Sequence, residues 1–347
     1  MKSSEYNYEL PEGLIAKFPP VERGASRLLV VERENGDLRD AKYADLAELL
    51  REGDVLILND TKVLPMRLIL TKENGARREI ILLEKHAEND WRRHKILHHG
   101  KLSVGDKLFL GEEVVARVEA VLGGGVAEIA SVGKRDLLEI ANDFGEVPLP
   151  PYLNREATDG DKERYQTVFA RNDGSAAAPT ASLNFTDEVR DKLLARGVRL
   201  GYLTLHVGLG TFLPIRTDEI GEHKMHKEYF EIPAVTAELI RATKARGGLV
   251  IALGTTVART LEYAGDFLSD ATVQVFDDFC GEADIFIYPG YEFKVIDGLL
   301  TNFHAPKSTV LMLAGAFAGW DLLMEAYEHA TSEKYNFLSY GDSMLIV

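Results

Sequence analysis

The chain has 347 residues, of which 46% are hydrophobic and 27% are charged, a composition typical of a folded protein with one large or two ordinary domains. The 55 acidic residues outnumber the 40 basic ones and give a formal net charge of −15. This charge excludes a generally basic protein that coats nucleic acid by neutralising runs of phosphates, although it is compatible with a basic patch on one part of the surface.

Cys280 is the only cysteine, so the chain offers no partner for an intrachain disulfide and no set of thiolates for a zinc site. We therefore expect a reducing, cytoplasmic environment. Acidic residues interrupt positions 1–14, where a secretory signal needs an apolar segment, and the longest apolar run, 310–318, has about half the length of a membrane-spanning helix. The sequence predicts no contact with a membrane.

The first part of the chain has the pattern of an α/β domain, with apolar runs at 28–31 and 55–58 that predict buried strands and helical spacing over 43–50 between them. The pattern then changes to short alternating stretches separated by glycine-containing turns, which are typical of a small antiparallel barrel or sandwich. The predicted strands of this second part are 66–70, 79–84, 91–98, 107–110, 114–121 and 126–132.

The α/β pattern returns after the proline-rich connector at 148–152. Thr186 is the predicted N-cap of a helix that ends at Gly197. Further strands are predicted at 198–207, 249–253 and 285–287, and further helices at 235–246 and 308–327. Helices that alternate with wholly apolar strands indicate a largely parallel sheet covered on both faces.

The sequence thus predicts a largely parallel-sheet α/β domain, residues 1–64 and 148–347, with an inserted small antiparallel β-barrel domain, residues 65–147. Insertions of this kind succeed at exposed connectors rich in proline and polar residues, as both connectors are here.

Hydroxyl, amide, imidazole and glycine residues gather at the ends of the predicted strands. In open α/β sheets the ligand crevice lies outside the carboxyl ends of the strands. Any one such cluster is explicable as turn or capping chemistry, but five or six in one domain favour convergence on a shared cleft. The clusters span 59–61, 174–185, 204–212, 223–228, 254–262 and 301–306.

Three of these clusters contain histidines, and the histidines of two of them have different expected roles. A lone buried histidine is more often a core residue than a catalyst, but His206 ends a predicted strand, and imidazole is the usual general base near neutral pH. His223 and His226 would share one helical face, with Glu228 nearby. Because their spacing is not that of a HExxH zinc site, we expect no metal.

The clusters, in this order, resemble the S-adenosylmethionine:tRNA ribosyltransferase-isomerases of queuosine biosynthesis. The resemblance covers essentially the whole chain and includes several long motifs, which makes it specific. These motifs include GDVLILNDTKVLPMRL, PLPPYL, RYQTVFA, AAAPTASLNF, TLHVGLGTF, HKMHKEYF, GTTVARTLE and DGLLTNFHAPKSTVLMLAGAFAG.

The resemblance implies an enzyme that uses S-adenosylmethionine as a ribosyl donor. The ribosyl unit would pass to 7-aminomethyl-7-deazaguanine at the wobble position of a tRNA anticodon and rearrange to epoxyqueuosine, with release of adenine and methionine. The implied partners are S-adenosylmethionine and the tRNA anticodon stem-loop. The resemblance implies no cofactor beyond S-adenosylmethionine as co-substrate and no catalytic metal, and we expect a monomer.

This chemistry needs a base near the ribose C5′, whose hydrogens the sulfonium acidifies, and His206 fits by type, with His304 and His226 as rivals. A donor facing the departing adenine would be Asp60, Asn184 or Asn302. The methionine carboxylate would suit Arg259 or a helix N-terminus. We thus expect catalytic roles for His206, Asn184, His304 and Asp60, and substrate contacts for Thr180, Thr211, His226, Thr255, Thr256, Arg259 and Asn302.

Two departures from the family's usual pattern bear on the chemistry, because Ser182 replaces a glycine and Asn184 replaces a histidine, whereas Ala305 and 257–258 differ only in packing residues. Asparagine forms hydrogen bonds but cannot shuttle a proton as imidazole does. One alternative is therefore a non-catalytic or altered-activity member that binds tRNA or S-adenosylmethionine. A second alternative, a nucleotide-dependent transferase with an ordinary switch-point crevice, is disfavoured because the chain has no P-loop and no complete GxGxxG motif.

The stretch 61–107 has eleven Lys and Arg residues against six Asp and Glu, a local net charge of +5 in an acidic chain. A solvated barrel face would explain this excess, but a surface that contacts tRNA phosphates is the interpretation we favour. The expected tRNA contacts are Arg77, Arg78, Arg92, Arg93 and Lys95.

Overall fold

The computed structural model describes residues 2–86, 90–208, 215, 217–269 and 277–347. Its strands are β1 (Arg27–Val31), β2 (Leu38–Lys42), β3 (Val55–Asn59), β4 (Thr61–Val63), β5 (Arg67–Lys72), β6 (Arg77–Leu82), β7 (Arg93–His98), β8 (Lys107–Leu110), β9 (Glu113–Gly123), β10 (Val126–Ser131), β11 (Asn172–Ser175), β12 (Arg199–Leu205), β13 (Glu228–Ile232), β14 (Val250–Leu253), β15 (Phe279–Ala283), β16 (Gly298–Asn302) and β17 (Ser343–Ile346). Its α-helices are α1 (Leu46–Leu49), α2 (Leu137–Phe144), α3 (Asp159–Arg164), α4 (Asp187–Ala195), α5 (Ala234–Ala245), α6 (Thr255–Tyr263), α7 (Gly265–Ser269), α8 (Thr309–Ala318) and α9 (Trp320–Ser332).

A nine-stranded mixed sheet forms the α/β part, in the order β15-β13-β12-β3-β14-β16-β17-β1-β2. Parallel pairing joins the four central strands β12, β3, β14 and β16, and also β1 with β17. The remaining neighbours pair antiparallel. Strands that precede and follow the barrel in sequence therefore share one sheet, and the prediction of an α/β fold with an inserted barrel is confirmed.

The two faces of the sheet bury separate apolar layers because successive side chains of a strand point to opposite faces. Val55 and Ile57 of β3 pack in one layer with α6 and α8. Leu56 and Leu58 pack in the other, with α1 and α4. Burial on both faces explains the wholly apolar composition of β3, which favoured a covered sheet from the sequence.

The inserted part is a closed antiparallel barrel, in the order β10-β7-β6-β5-β8-β9. Its interior holds alternating buried residues of the strands, including Leu68, Leu70, Ile80 and Ile96. Helix α2 adds its apolar face to this core and begins at the N-cap Asp136, whose side chain accepts from the Glu139 backbone N–H (2.9 Å).

Two predicted elements are wrong. Residues 285–287 form no strand, because the β13–β15 ladder ends at Ala283. The predicted final helix is two helices that meet at 111°, since Gly319 adopts a φ of 86° and ends α8. In the described part of the chain no single helix is long and apolar enough to cross a membrane, and only the bent pair α8 and α9 passes that test together.

Gly145 lies where the chain leaves α2 and passes close to Pro65, and we expect Gly145→Ala to destabilise the protein. A Cβ at this position would lie 1.8 Å from the Pro65 carbonyl oxygen, and a backbone atom cannot yield cheaply. Overpacking of this kind costs roughly 1–3 kcal/mol, which urea unfolding would measure. Gly221→Ala is the matched control, because a Cβ there would meet nothing within 4 Å. Equal stability of the two variants would contradict this account.

Candidate functional site

A cleft opens at the carboxyl ends of β14 and β16, beside the turn that contains Thr180. It encloses about 730 Å³ of empty space, a value that includes the part open to solvent. Five residues predicted to contact substrate or to catalyse line it, namely Thr180, Thr255, Thr256, Asn302 and His304. The lining also includes Val207, Phe303 and Leu338, so the wall is partly apolar.

The N-terminus of α6 faces this cleft. Gly254, at φ 97°, precedes the helix and has no side chain that could cap it, while Gly254 and Thr255 both line the cleft. The first N–H groups of a helix have no partner within the helix and carry partial positive charge. This end of the cleft is therefore suited to an anionic group such as a carboxylate.

His304 presents a neutral imidazole at the cleft wall. Its Nε2 lies 3.0 Å from Thr301 Oγ1, and its backbone is held on both sides, by the Tyr8 and Tyr327 hydroxyls. Burial lowers its pKa to about 3, which keeps the ring neutral near pH 7. Within the described residues Nδ1 has no hydrogen-bond partner.

His206 does not line the cleft, although the next residue, Val207, does. Its Nδ1 lies 2.8 Å from Thr61 Oγ1, and its other ring edge lies against Gly174, where an added Cβ would be 2.6 Å from Nε2. Burial is the main cause that lowers the pKa of His206 to about 4, and the charges of Lys85 and His86 add to it. The two histidines therefore lie in different surroundings.

Asp60 and Asn184 are also outside the cleft lining, and their side chains are engaged with the protein. Asp60 accepts from Thr204 Oγ1 (2.7 Å) and from an amide nitrogen (3.1 Å), and burial raises its pKa. Asn184 accepts from Ser26 Oγ (2.8 Å) and donates to Gly341 O (3.0 Å) and Ser343 Oγ (3.2 Å). Both amide hydrogens of Asn184 are thus used in fixing its loop to β17.

Arg259 lies behind the α6 N-terminus in a buried ion pair, with Nη1 2.7 Å from Glu228 Oε2. Glu228 also accepts from the Gly208 backbone N–H (2.8 Å). The Nε and Nη2 groups of Arg259 are buried without a hydrogen-bond partner in the described residues. Arg259 lies four residues after Thr255 on α6, but it does not line the cleft itself.

The helical arrangement expected for His223 and His226 is wrong, because residues 223–227 form neither helix nor strand. His226 is exposed, and His223 packs edge-on against Phe286 with ring centroids 5.1 Å apart. Among the described residues no group of three or more His, Cys, Asp or Glu side chains could hold a metal ion. The predicted substrate residue Thr211 lies outside the described residues.

The five residues predicted to contact tRNA lie on β6, on β7 or directly before β7, which are neighbouring strands of the barrel. Arg77 and Lys95 are exposed, and Arg78 Nε donates to the Lys101 carbonyl (3.1 Å). Arg92 donates to the Gly133 and Arg135 carbonyls (3.1 and 3.2 Å), and Arg93 pairs with Glu119 (2.6 Å). The positive charge of this surface is therefore partly neutralised.

Some residues of the cleft wall were not predicted from the sequence. Tyr152 and Ser339 both line the cleft and hydrogen-bond to each other, although they are 187 positions apart. Tyr152 is part of the PLPPY connector, which the sequence marks only as extended. Its role in the wall depends on tertiary packing that no local pattern reveals.

The mixed α/β sheet, the inserted barrel and the strand-end cleft define a two-part protein that binds small molecules. The chain belongs to the family described as "Queuosine biosynthesis protein", whose sequence model matches residues 3–346. It is 54% identical over 346 residues to the S-adenosylmethionine:tRNA ribosyltransferase-isomerase of Pelodictyon phaeoclathratiforme and 52% identical to that of Chlorobaculum parvum, with 100% of both chains covered in each case. A crystal structure of S-adenosylmethionine tRNA ribosyltransferase from Thermotoga maritima is similar at 33% identity and a TM-score of 0.56, covering 99% of this chain and 100% of that one.

The buried His206 should make the protein less stable in acid. Its folded-state pKa of about 4 lies below the ordinary value of about 6.5, so between these values the unfolded chain binds a proton that the folded protein excludes. Stability from this residue is complete above about pH 6.5 and decreases by up to about 1.4 kcal/mol per pH unit toward pH 4.

Urea unfolding of the wild type and of His206→Gln at about pH 7.5 and about pH 5 would measure this effect. We expect the wild type to lose up to about 2 kcal/mol more than the variant between the two conditions, because glutamine does not titrate. The same loss in both proteins would show that His206 does not exclude a proton.

Proposed function

We propose that this protein is an S-adenosylmethionine:tRNA ribosyltransferase-isomerase. It transfers the ribosyl moiety of S-adenosylmethionine to 7-aminomethyl-7-deazaguanine at the wobble position of tRNA and isomerises it, which gives epoxyqueuosine and releases adenine and methionine. Family membership and the full-length similarity to proteins named for this activity support the proposal. The structural observation that carries it is the cleft, which combines an uncapped helix N-terminus, several hydroxyls and a neutral imidazole.

In this proposal the cleft binds S-adenosylmethionine. The methionine carboxylate lies at the α6 N-terminus, where the buried charge of Arg259 strengthens the positive potential. The ribose hydroxyls hydrogen-bond to Thr180 and Asn302, which already contact each other (Oγ1 to Oδ1, 3.2 Å). Apolar wall residues such as Val310 and Leu338 contact the adenine ring.

The general base of the proposal is His304. Abstraction of a C5′ proton requires an acceptor within hydrogen-bond reach of the substrate, and among the described residues His304 is the histidine that lines the cleft. If Nε2 donates its hydrogen to Thr301 Oγ1, the lone pair of Nδ1 is left to accept the proton. His206 and Asp60, on the other side of β12, position the strand end instead.

The alternative of a non-catalytic binding protein was motivated by Asn184, and its contacts weaken that alternative. The side chain hydrogen-bonds to Ser26, Gly341 and Ser343 and does not line the cleft. The Asn184 side chain therefore holds its loop in place, and the proposed mechanism assigns it no proton transfer.

We propose further that the enzyme acts in the cytoplasm as a monomer, on the anticodon stem-loop, with no cofactor beyond S-adenosylmethionine.

The activity is tested by incubating the protein with S-adenosylmethionine and a tRNA that carries 7-aminomethyl-7-deazaguanine at the wobble position. We expect mass spectrometry to detect free adenine, methionine and epoxyqueuosine in the tRNA. S-adenosylhomocysteine would indicate methyl transfer instead. A tRNA that binds without any product would favour the non-catalytic alternative.

Replacement of the base should abolish turnover without abolishing binding. We expect His304→Ala to lower kcat by about 100-fold to 10,000-fold, the usual contribution of general base catalysis, while S-adenosylmethionine still binds. A wild-type enzyme should also exchange C5′ hydrogens of S-adenosylmethionine with deuterated water in the presence of tRNA, and the variant should not. His329→Ala is the control, since His329 lies at the surface beside Asp40 (3.2 Å). Normal exchange in His304→Ala would assign the base to another residue.

A further inference from the structure

One segment of the barrel reaches the α/β part near His206, at the end of β12. We call residues 83–86, which follow β6, the barrel arm. The Leu83 N–H donates to Lys95 O (3.0 Å) within the barrel, whereas the Lys85 N–H donates to Gly174 O (2.8 Å) in the α/β part. His86 Nδ1 lies 2.8 Å from Glu282 Oε1 on β15. The arm is thus fixed at both ends, and Glu84 lies between these contacts.

The Glu84 carboxylate is buried, with its side chain only 10% exposed, and it lies flat against Gly208. A Cβ added to Gly208 would be 2.6 Å from the carboxylate carbon and from Oε1. Gly208 directly follows Val207, which lines the cleft, although neither Glu84 nor Gly208 lines the cleft itself.

Glu84 has a single long-distance partner for a buried carboxylate. In the described part of the chain its cationic partner is His86, whose Nε2 lies 3.6 Å from Glu84 Oε1 while its Nδ1 lies 2.8 Å from Glu282 Oε1. Both carboxylates raise the pKa of this ring, and Glu84 contributes more than Glu282. No hydrogen-bond donor within the described residues reaches the carboxylate within 3.5 Å. A buried charge without such donors is costly, and a cationic ligand would remove that cost.

We propose that Glu84 binds the aminomethyl group of the deazaguanine base and so distinguishes the modified tRNA from the unmodified one. This inference rests on the proposed function. The aminomethyl group is a primary amine that is cationic near pH 7, and a carboxylate is its natural acceptor. Within the described residues the cleft lining itself contains no Asp, Glu, Lys or Arg side chain, so the acceptor for the amine comes from its border.

The placement of Glu84 also gives the barrel a part in catalysis. The α/β part would hold S-adenosylmethionine, and the arm would hold the amine at the end of β12, next to Val207. Because an ammonium group has no lone pair, the Glu84 carboxylate would take one of its protons, and the neutral amine would then be the nucleophile. Two substrates that must react would then be oriented by two parts of the chain, which is the arrangement that proximity catalysis requires.

The experiment compares two anticodon stem-loops that differ only at the wobble base, one with 7-aminomethyl-7-deazaguanine and one with guanine. We expect the wild type to prefer the amine-bearing stem-loop, and Glu84→Gln to lose this preference by about tenfold or more, because the amide is uncharged. The affinity for S-adenosylmethionine should be unchanged. Glu282→Gln is the matched control, since Glu282 contacts the same His86 but does not contact Gly208, and it should keep the preference.

A folded Glu84→Gln variant with the full preference, or a wild type without any preference, would overturn the inference. If Glu84→Gln does not fold, Glu84→Asp decides, because it keeps the charge but withdraws the carboxylate by one methylene, and we expect it to reduce the preference. Release of adenine by the wild type separates the two proposals. Adenine release together with an unchanged preference in the variant refutes only the role of Glu84, whereas no adenine release refutes the proposed function.

Discussion

The geometry of the cleft depends on one buried amide, Asn59, at the carboxyl end of β3. Its Oδ1 accepts from the backbone N–H groups of Leu205 (3.0 Å) and Thr61 (3.1 Å), and its Nδ2 donates to Leu205 O (3.0 Å) and reaches Thr256 Oγ1 (3.5 Å). One side chain therefore joins the ends of β3 and β12 to the first turn of α6. An apolar residue here would leave the Leu205 backbone groups unpaired in the core, so the amide both orders the strand ends and fixes the cleft between them.

Strand alternation explains which predicted site residues meet and which do not. On β12 and its continuation, Leu205 and Val207 point to the face that carries α6 and the cleft, whereas Thr204 and His206 point to the opposite face. The sequence places all of these residues at one strand end, and that much was correct. It could not assign their faces, because the polar residues interrupt the apolar pattern from which a face is inferred.

The fold was predictable where local patterns determine it. Apolar runs identified β3 and β14, and glycine-punctuated alternation identified the barrel. The failures arise from tertiary pairing: 285–287 is apolar because it packs against other segments, with Ile287 buried outside any ladder. Likewise β17 pairs with β16 and β1, which begin 45 and 316 positions earlier in the chain. The four residues of β17 alone do not indicate with which strands it pairs. The break between α8 and α9 is the exception, because Gly319 is itself a residue type that commonly ends helices.

The electrostatics of the barrel bear on how an acidic protein can recognise RNA. Several cations of the basic stretch are already paired, including Lys72 with Asp106 (2.7 Å) and Arg93 with Glu119 (2.6 Å). Exposed pairs contribute little stability, but each one cancels a charge that would otherwise attract phosphate from a distance. Strong steering by the barrel face is therefore not expected. Selectivity must then come from short-range contacts near the cleft, where the barrel arm meets the sheet, and such contacts distinguish one modified base from the many phosphates that all RNA shares.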